Sequence, residues 1–426
     1  MNAFDRLPVR PADILLPRDC DLSLWSVVAC DQYTSQPEYW QRVADRVGRA
    51  PSALRLILPE SSLEGPNVET DIMEINAAMA SYLREGRFRT LPGAMIYVER
   101  TLDSGKVRRG LVGMVDLEQY DYEPGSGAAV RATEGTVLSR IPPRVAVRKN
   151  APIELPHVML LTDDPGRTVI EPLTGRKDGL EQVYDFDLME RGGHLSGWLL
   201  DGAALNQVAA ALSALADPAA FHARYSVQDA PVMLFAVGDG NHSLATAKEC
   251  YERQKKLVPQ EQWASLPARF ALCELVNLHD DSLEFEPIHR VVFRTRPEEL
   301  LDALVHACPG AYRGAGEGHV LHYVWAGGEG DITVPAPAAQ LPVATLQSFL
   351  DDWLTAHPGR VDYIHGEDVA REFAARSGNL AFLLPPMGKQ ALFPTVIHDG
   401  VLPRKTFSMG EAHDKRFYLE ARRIRE

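Results

Sequence analysis

Residues 231–250 read PVMLFAVGDGNHSLATAKEC, an apolar run that leads through a glycine-flanked acid into a helix-forming segment. The run 231–237 predicts a strand buried on both faces. Gly238-Asp239-Gly240 predicts a turn, since glycine adopts backbone conformations that other residues avoid. A helix that begins directly after such a turn exposes unpaired N–H groups and the positive end of its dipole, which suit a phosphate or a carboxylate. The stretch predicts an anion-binding site formed by Asp239, Gly240, Asn241, His242 and Ser243.

The same residues could also serve the fold alone. Asp239 would then cap the helix, and Asn241 and His242 would cover the turn without binding a ligand. Local sequence leaves both interpretations open, because short motifs also occur where nothing binds.

Length and composition favour a soluble protein with more than one packed region. The chain has 426 residues, of which 45% are hydrophobic and 24% are charged. We predict three α/β regions, 1–130, 131–295 with the GDGNH motif, and 296–426, which together could form one compact unit. The net charge of -14 opposes binding to nucleic acid. Five scattered cysteines favour a reducing cytoplasm, and no apolar stretch reaches the length of a membrane span.

Several cofactor motifs are missing from the sequence. It contains no GxxxxGK[ST], GxSxG or HExxH motif and no GxGxxG between a strand and a helix. The 13 histidines form no HxH or HxxxH pair. We therefore predict no zinc, haem or NAD, and we expect a small-molecule substrate.

Residues 120–150 are polar and interrupted by glycine and proline, which predicts an ordered loop at the surface. Its arginines could clamp an anionic substrate or could form a solvated charged face. The candidate site residues from this segment are Arg131, Glu134, Thr136 and Arg140.

Further candidates follow the motif along the chain. His289 and Arg290 lie in an otherwise apolar predicted strand, so they need a partner or a cavity. His365 precedes a predicted helix, and Lys405-Thr406 offers a cation beside a hydroxyl.

Several of these blocks together resemble a known family. GDGNHSLATAK resembles the DGHHR-type motif of the DUF1015 family, and ATEGTVLSRIPPR and LEFEPIHRVV resemble two of its other blocks. The motif is more distantly similar to the signature of the ParB/sulfiredoxin-like superfamily, which includes free-serine kinases. The resemblance implies an α+β or mixed α/β fold, with a ParB/sulfiredoxin-like core around the strand-GDGNH-helix element and additional α/β regions before and after it.

The sequence departs from the family motif at two positions. Asn241 stands at the second histidine-like position, and Ser243 replaces the expected arginine. If that arginine normally holds phosphate, another cation must replace it here; the candidates are Arg131, Arg140, Arg290 and Lys405.

The resemblance implies a phosphotransferase or phosphate-ester-processing enzyme that uses ATP or ADP and acts on serine or phosphoserine. His242 and the helix N-terminus would bind phosphate. Asp239 or Glu134 would accept the hydroxyl proton or hold Mg²⁺ through oxygen ligands. The alternative is a non-catalytic regulatory protein that binds a nucleotide or an amino acid. The residues expected to bind substrate or phosphate are Gly240, Asn241, Ser243, Arg131, Thr136, Arg140, His289, Arg290, His365, Lys405 and Thr406.

Overall fold

The computed structural model describes residues 3–63, 65–136, 138–155 and 158–425. They form two compact units, one comprising Met1–Leu283 with Glu411–Glu426 and the other comprising Glu284–Gly410. Both units combine helices with sheets, which confirms the predicted mixed α/β class. The units have different bounds from the three regions predicted above, and that three-region division stays a prediction.

A large mixed sheet forms the centre of the first unit. Its strands, in order across the sheet, are Glu181–Leu188, Gly193–Leu199, Ile96–Thr101, Val107–Asp116, Phe270–Asn277, Met159–Thr162, Phe235–Asp239, Val130–Ala132 and Tyr120–Asp121. The short strand Val9–Arg10 pairs with Val107–Asp116. Phe235–Asp239 is parallel to Val130–Ala132 and antiparallel to Met159–Thr162. The motif strand therefore lies inside the sheet, which explains its apolar sequence.

Helices and smaller strand pairs complete the first unit. Its α-helices are Leu22–Trp25, Pro37–Val47, Val68–Arg84, Ile141–Arg148, Gly202–Leu215, Pro218–Tyr225 and Asn241–Lys255. Three two-stranded sheets pair Ala12–Pro17 with Phe88–Ala94, Val27–Val28 with Phe417–Tyr418, and Ile153–Glu154 with Arg422–Arg423. Two of these pairs use strands from the segment Glu411–Glu426, so this segment is built into the first unit.

The helix after the motif packs against the sheet. Leu244 and Tyr251 are fully buried in one apolar cluster with Phe235 and Val237 of the motif strand. Removing a large apolar side chain from such a cluster costs about 2–5 kcal/mol of stability. The strand and the helix are thereby fixed relative to each other, which holds the turn between them in one geometry.

The segment 120–150 is more regular than the loop that its sequence predicts. It contains the helix Ile141–Arg148, and the loop prediction is wrong for these residues. Pro142 and Pro143 lie in the first turn of this helix, where proline removes no intrahelical hydrogen bond. Ile141 and Val145 pack against Ala245 of the motif helix.

The second unit is built on an antiparallel sheet. In order across the sheet, its strands are Tyr312–Arg313, Gly328–Val334, His319–Trp325, Asn379–Leu383, Phe285–Phe293 and Arg360–His365, and Phe407–Met409 also pairs with Phe285–Phe293. Its α-helices are Pro297–Ala307, Pro342–Ala356, Glu367–Ala374 and Leu392–Asp399. Val291 and Ala381 of the sheet pack against Ala370 and Ala374 of one helix.

Among the described residues, no helix combines the length and the apolar character needed to cross a membrane.

Candidate functional site

The motif forms a strand, a left-handed turn residue and a helix, in that order. The strand Phe235–Asp239 ends one residue before Gly240, whose φ of 79° and ψ of 27° are left-handed. The helix Asn241–Lys255 begins at the next residue. A Cβ at Gly240 would lie 3.1 Å from the Cα of Val158. Glycine is therefore required here both for the backbone angle and for the close approach of a neighbouring chain segment.

We expect Gly240→Ala to lower the free energy of unfolding by about 1–3 kcal/mol, because it adds backbone strain and a contact with Val158. Gly105→Ala is the matched control, since Gly105 has a φ of 81° but no atom within 4 Å of the position of a Cβ. Urea denaturation of both variants measures the difference. Equal losses would show that the close approach at Gly240 contributes nothing.

Asp239 lies two residues before the motif helix, and the side chain of Lys415 lies beside it. Its Oδ2 is 3.6 Å from Nζ of Lys415, and Oδ1 accepts a 2.9 Å hydrogen bond from the N–H of Gly240. Both side chains are largely buried, with exposed fractions of 21% for Asp239 and 15% for Lys415. The N-cap residue of this helix is Gly240, which has no side chain that could cap the first turn. The first-turn N–H groups, an acid and a cation therefore meet at one corner.

Asn241 connects the motif to the neighbouring parallel strand. Its Oδ1 accepts from the N–H of Thr133, and its Nδ2 donates to Oγ1 of Thr133, each over 3.3 Å. Oγ1 of Thr133 in turn donates to the carbonyl of Val237 over 2.7 Å. This network joins the ends of the two strands, which gives asparagine a structural role at the position where the family motif has histidine. A substrate contact by Asn241 stays a prediction.

Glu134 follows the strand that is parallel to the motif strand. In the pairing of these two strands, Ala132 lies opposite Val237. Glu134 comes two residues after Ala132, and Asp239 comes two residues after Val237. Two parallel strands end at the same edge of a sheet, and this edge is where ligands commonly bind in α/β proteins. Thr136 lies just beyond it, and its buried Oγ1 has no hydrogen-bond partner among the residues that the structure describes.

The two arginines predicted from this region have different surroundings. Arg131 is buried and donates two 2.8 Å hydrogen bonds, one to the carbonyl of Ala128 and one to that of Pro231. Burial lowers the pKa of its guanidinium. Arg131 therefore fixes the chain before the motif strand. Arg140 is exposed, and its carbonyl accepts a 2.7 Å hydrogen bond from Arg144.

His242 and Ser243 lie in the first turn of the motif helix. The carbonyl of His242 accepts a 2.7 Å hydrogen bond from Oγ1 of Thr246. Ser243 and Thr246 line a mostly apolar cavity of about 150 Å³. Cys30 and Tyr418 lie on its wall, and burial raises the pKa of the Cys30 thiol to about 12. This thiol is therefore not a nucleophile near neutral pH.

The remaining predicted residues belong to the second unit, namely His289, Arg290, His365, Lys405 and Thr406. Arg290 is fully buried, and its guanidinium donates to Oε1 of Gln347 and to the carbonyls of Ile288, Arg404 and Lys405. Thr406 donates to the carbonyl of Pro403 over 2.7 Å. These contacts hold the loop around residues 403–406 in place, and binding of phosphate by Arg290, Lys405 and Thr406 stays a prediction.

Lys415 is the site residue that sequence reasoning missed. Two buried arginines hold the segment that contains Lys415. Arg100 donates to the carbonyls of His413 and Lys415, and Arg108 donates to that of Asp414. Lys415 follows Asp239 by more than 170 residues, and only the local surplus of basic residues near the end of the sequence pointed to this segment.

The first unit is thus a mixed α/β structure in which an acid and a lysine from different segments meet next to the first turn of a helix. The family model described as "Protein of unknown function (DUF1015)" matches residues 9–352. The chain belongs to this family. A search of curated proteins gave no match.

Some solved structures are similar to the chain at low identity. A free serine kinase variant in complex with AMP is 12% identical, with a TM-score of 0.40, over 74% of this chain and 92% of that chain. A conserved hypothetical protein from Pyrococcus furiosus is 11% identical, with a TM-score of 0.35, over 70% of this chain and 89% of that chain. SbnI from Staphylococcus aureus, with a C-terminal truncation, is 9% identical with a TM-score of 0.37, over 70% of this chain and 82% of that chain. At identities and TM-scores this low, the similarity does not indicate an activity for this chain.

Proposed function

We propose that this chain is a small-molecule phosphotransferase, or another enzyme that processes a phosphate ester, and that it uses ATP or ADP. The observation that supports this most is the pair of Asp239 and Lys415 next to the first turn of the helix Asn241–Lys255, whose N-cap residue is a glycine. Phosphoryl transfer requires positive charge on the phosphoryl oxygens and a base for the attacking hydroxyl. This corner offers both kinds of group. L-Serine is the first acceptor to test, because the motif resembles that of a superfamily that includes free-serine kinases.

In this proposal each group at the corner has a defined role. The N–H groups at the start of the helix, His242 and Nζ of Lys415 hold the phosphate oxygens. The acceptor's hydroxyl oxygen bonds to phosphorus while the bond from phosphorus to the nucleotide oxygen breaks. The hydroxyl proton passes to the carboxylate of Asp239. Lys415 also reduces the repulsion between Asp239 and the bound phosphate, since its ammonium lies 3.6 Å from the carboxylate.

The residues also fit a magnesium ion. Mg²⁺ in phosphoryl-transfer enzymes is typically bound by one or two carboxylates together with the phosphates of the substrate. Asp239 and Glu134, which follow paired positions of adjacent parallel strands, would supply carboxylate oxygens to the ion. When bound, the ion would neutralise charge on the transferred phosphoryl group.

Ser243 favours a second candidate, a regulatory protein that binds a nucleotide or an amino acid without turnover. It stands where the family motif has arginine, and it lines the apolar cavity instead of supplying a cation. Loss of a cation that contacts phosphate weakens catalysis more than recognition, because charge develops most strongly in the transition state.

The two candidates predict different results in one experiment. The full chain is incubated with ATP or ADP and L-serine, with and without Mg²⁺, while phosphoserine is followed by mass spectrometry and nucleotide binding by calorimetry. Formation of phosphoserine supports the phosphotransferase. Saturable nucleotide binding without turnover supports the regulatory protein. If calorimetry detects binding of neither a nucleotide nor an amino acid, both candidates are wrong.

A further inference from the structure

The second unit contains a cavity of about 630 Å³ whose wall combines imidazoles, carboxylates and apolar side chains. This volume lies in the range of small-molecule sites. Its polar groups come from residues that are distant in sequence and that three strands and one helix bring together. They are Glu286, His289, His322, His365 and Glu367.

His289 has a fixed protonation state on this wall. Only 4% of the surface of His289 is exposed. Its Nδ1 accepts a 3.1 Å hydrogen bond from the N–H of Leu384. Burial lowers the pKa of this imidazole, so it is neutral near pH 7. A neutral imidazole whose Nδ1 accepts must carry its proton on Nε2. Among the described residues, Leu384 is the one hydrogen-bond partner of the His289 ring.

This tautomer decides what His289 can bind. Nε2–H is a hydrogen-bond donor without a lone pair, so His289 cannot hold a metal ion through it. It can donate to an oxygen of a ligand.

Two carboxylates lie on the same wall, and each contacts one basic side chain. Oε2 of Glu286 lies 2.6 Å from Nε2 of His365. A hydrogen bond from Arg371 lowers the pKa of Glu367, so this acid is ionised near neutral pH. Carboxylate oxygens accept hydrogen bonds from an ammonium group, and the pair is stronger than one between neutral groups.

The rest of the wall is apolar, and it includes Pro287, Val320, Leu383, Pro385 and Pro386. We propose that this cavity binds a free α-amino acid with an apolar side chain. Its carboxylate accepts from Nε2 of His289, its ammonium donates to Glu286 and Glu367, and its side chain lies against the prolines and leucine. This proposal does not depend on the phosphotransferase proposed above, and its test measures binding alone.

The test uses the full chain and calorimetric titration with each of the 20 common L-amino acids. We expect at least one apolar amino acid to bind with saturation, and its amine and carboxylic acid analogues, which lack one of the two charged groups, to bind at least about tenfold more weakly. Binding of the analogues as tight as that of the amino acid would overturn the proposal. So would the absence of saturable binding by every amino acid at millimolar concentration.

Variants of the wall locate the site. We expect Glu286→Gln and His289→Phe each to weaken binding about tenfold or more, and His289→Gln to retain more of it because a glutamine amide can both accept from Leu384 and donate to the ligand. The matched control is Glu299→Gln, an exposed acid of the same unit that lies outside the cavity wall. If His289→Phe fails to fold, Glu286→Gln decides. Unchanged affinity in Glu286→Gln would place the ligand elsewhere.

Discussion

Asp239→Asn is expected to lower the rate of phosphoryl transfer by about 10²–10⁴-fold, the usual contribution of a positioned general base. The amide keeps the size of the side chain and can still accept the hydrogen bond from Gly240. It cannot take the proton of the acceptor's hydroxyl, nor can it offer a charged oxygen to Mg²⁺. The measurement is the steady-state rate of phosphoserine formation, with the melting temperature as a check on folding.

Two further variants separate catalysis from general charge effects. Asp178→Asn removes an exposed carboxylate of the same unit and should leave the rate unchanged. Lys415→Met removes the cation beside Asp239 and should weaken both nucleotide binding and turnover, because the phosphate and the carboxylate then repel each other. If Asp239→Asn retains the wild-type rate, this corner is not the catalytic site, whatever the chain phosphorylates.

The largest expected effect on stability comes from Arg416, the residue that follows Lys415 in the chain. Its guanidinium donates over 2.7 Å to Glu274 and over 2.7 Å to Glu420, and all three side chains are at most 6% exposed. Arg416→Met should lower the free energy of unfolding by about 3–5 kcal/mol, because it leaves two buried carboxylates without their partner. Urea denaturation measures this loss. Arg191→Met is the control, since its pair with Asp103 is exposed and contributes at most about 1 kcal/mol.

The same cluster makes stability depend on pH. Burial alone would raise the pKa of Glu274, but the charges of Arg416 and Arg108 outweigh it and lower the pKa below the ordinary value of 4.5. A carboxyl with a lowered pKa in the folded state contributes its full stabilisation above the unfolded value and loses it as the pH falls. Stability should therefore decline below about pH 4.5 in the wild type, and Arg416→Met should reduce this decline. An equal decline in both proteins would contradict the assignment to this cluster.

The motif region shows how far local sequence determines structure. The apolar run before Asp239, the glycines around it and the helix formers after it predict the strand, the turn and the helix, because each of these depends on neighbouring residues. The strand is shorter than predicted and begins at Phe235. Hydrophobicity alone does not show where pairing with adjacent strands starts.

The parts that were not predicted depend on distant residues or on position within an element. Pro142 and Pro143 indicated a loop because the start of their helix could not be located in the sequence. The role of Asn241 depends on Thr133, which a parallel strand more than 100 residues earlier supplies. Lys415 reaches Asp239 because Arg100 and Arg108 hold its segment. No periodicity in the sequence indicates a contact between such distant residues.

The return of the segment Glu411–Glu426 to the first unit has a consequence for biosynthesis. A ribosome completes all of the second unit before it adds Lys415 and Arg416. Until then the nascent first unit lacks the ammonium beside Asp239 and holds Glu274 without its partner. A transcript that stops before codon 411 should therefore yield an unstable product that lacks the pair of Asp239 and Lys415, even though it encodes the entire GDGNH motif.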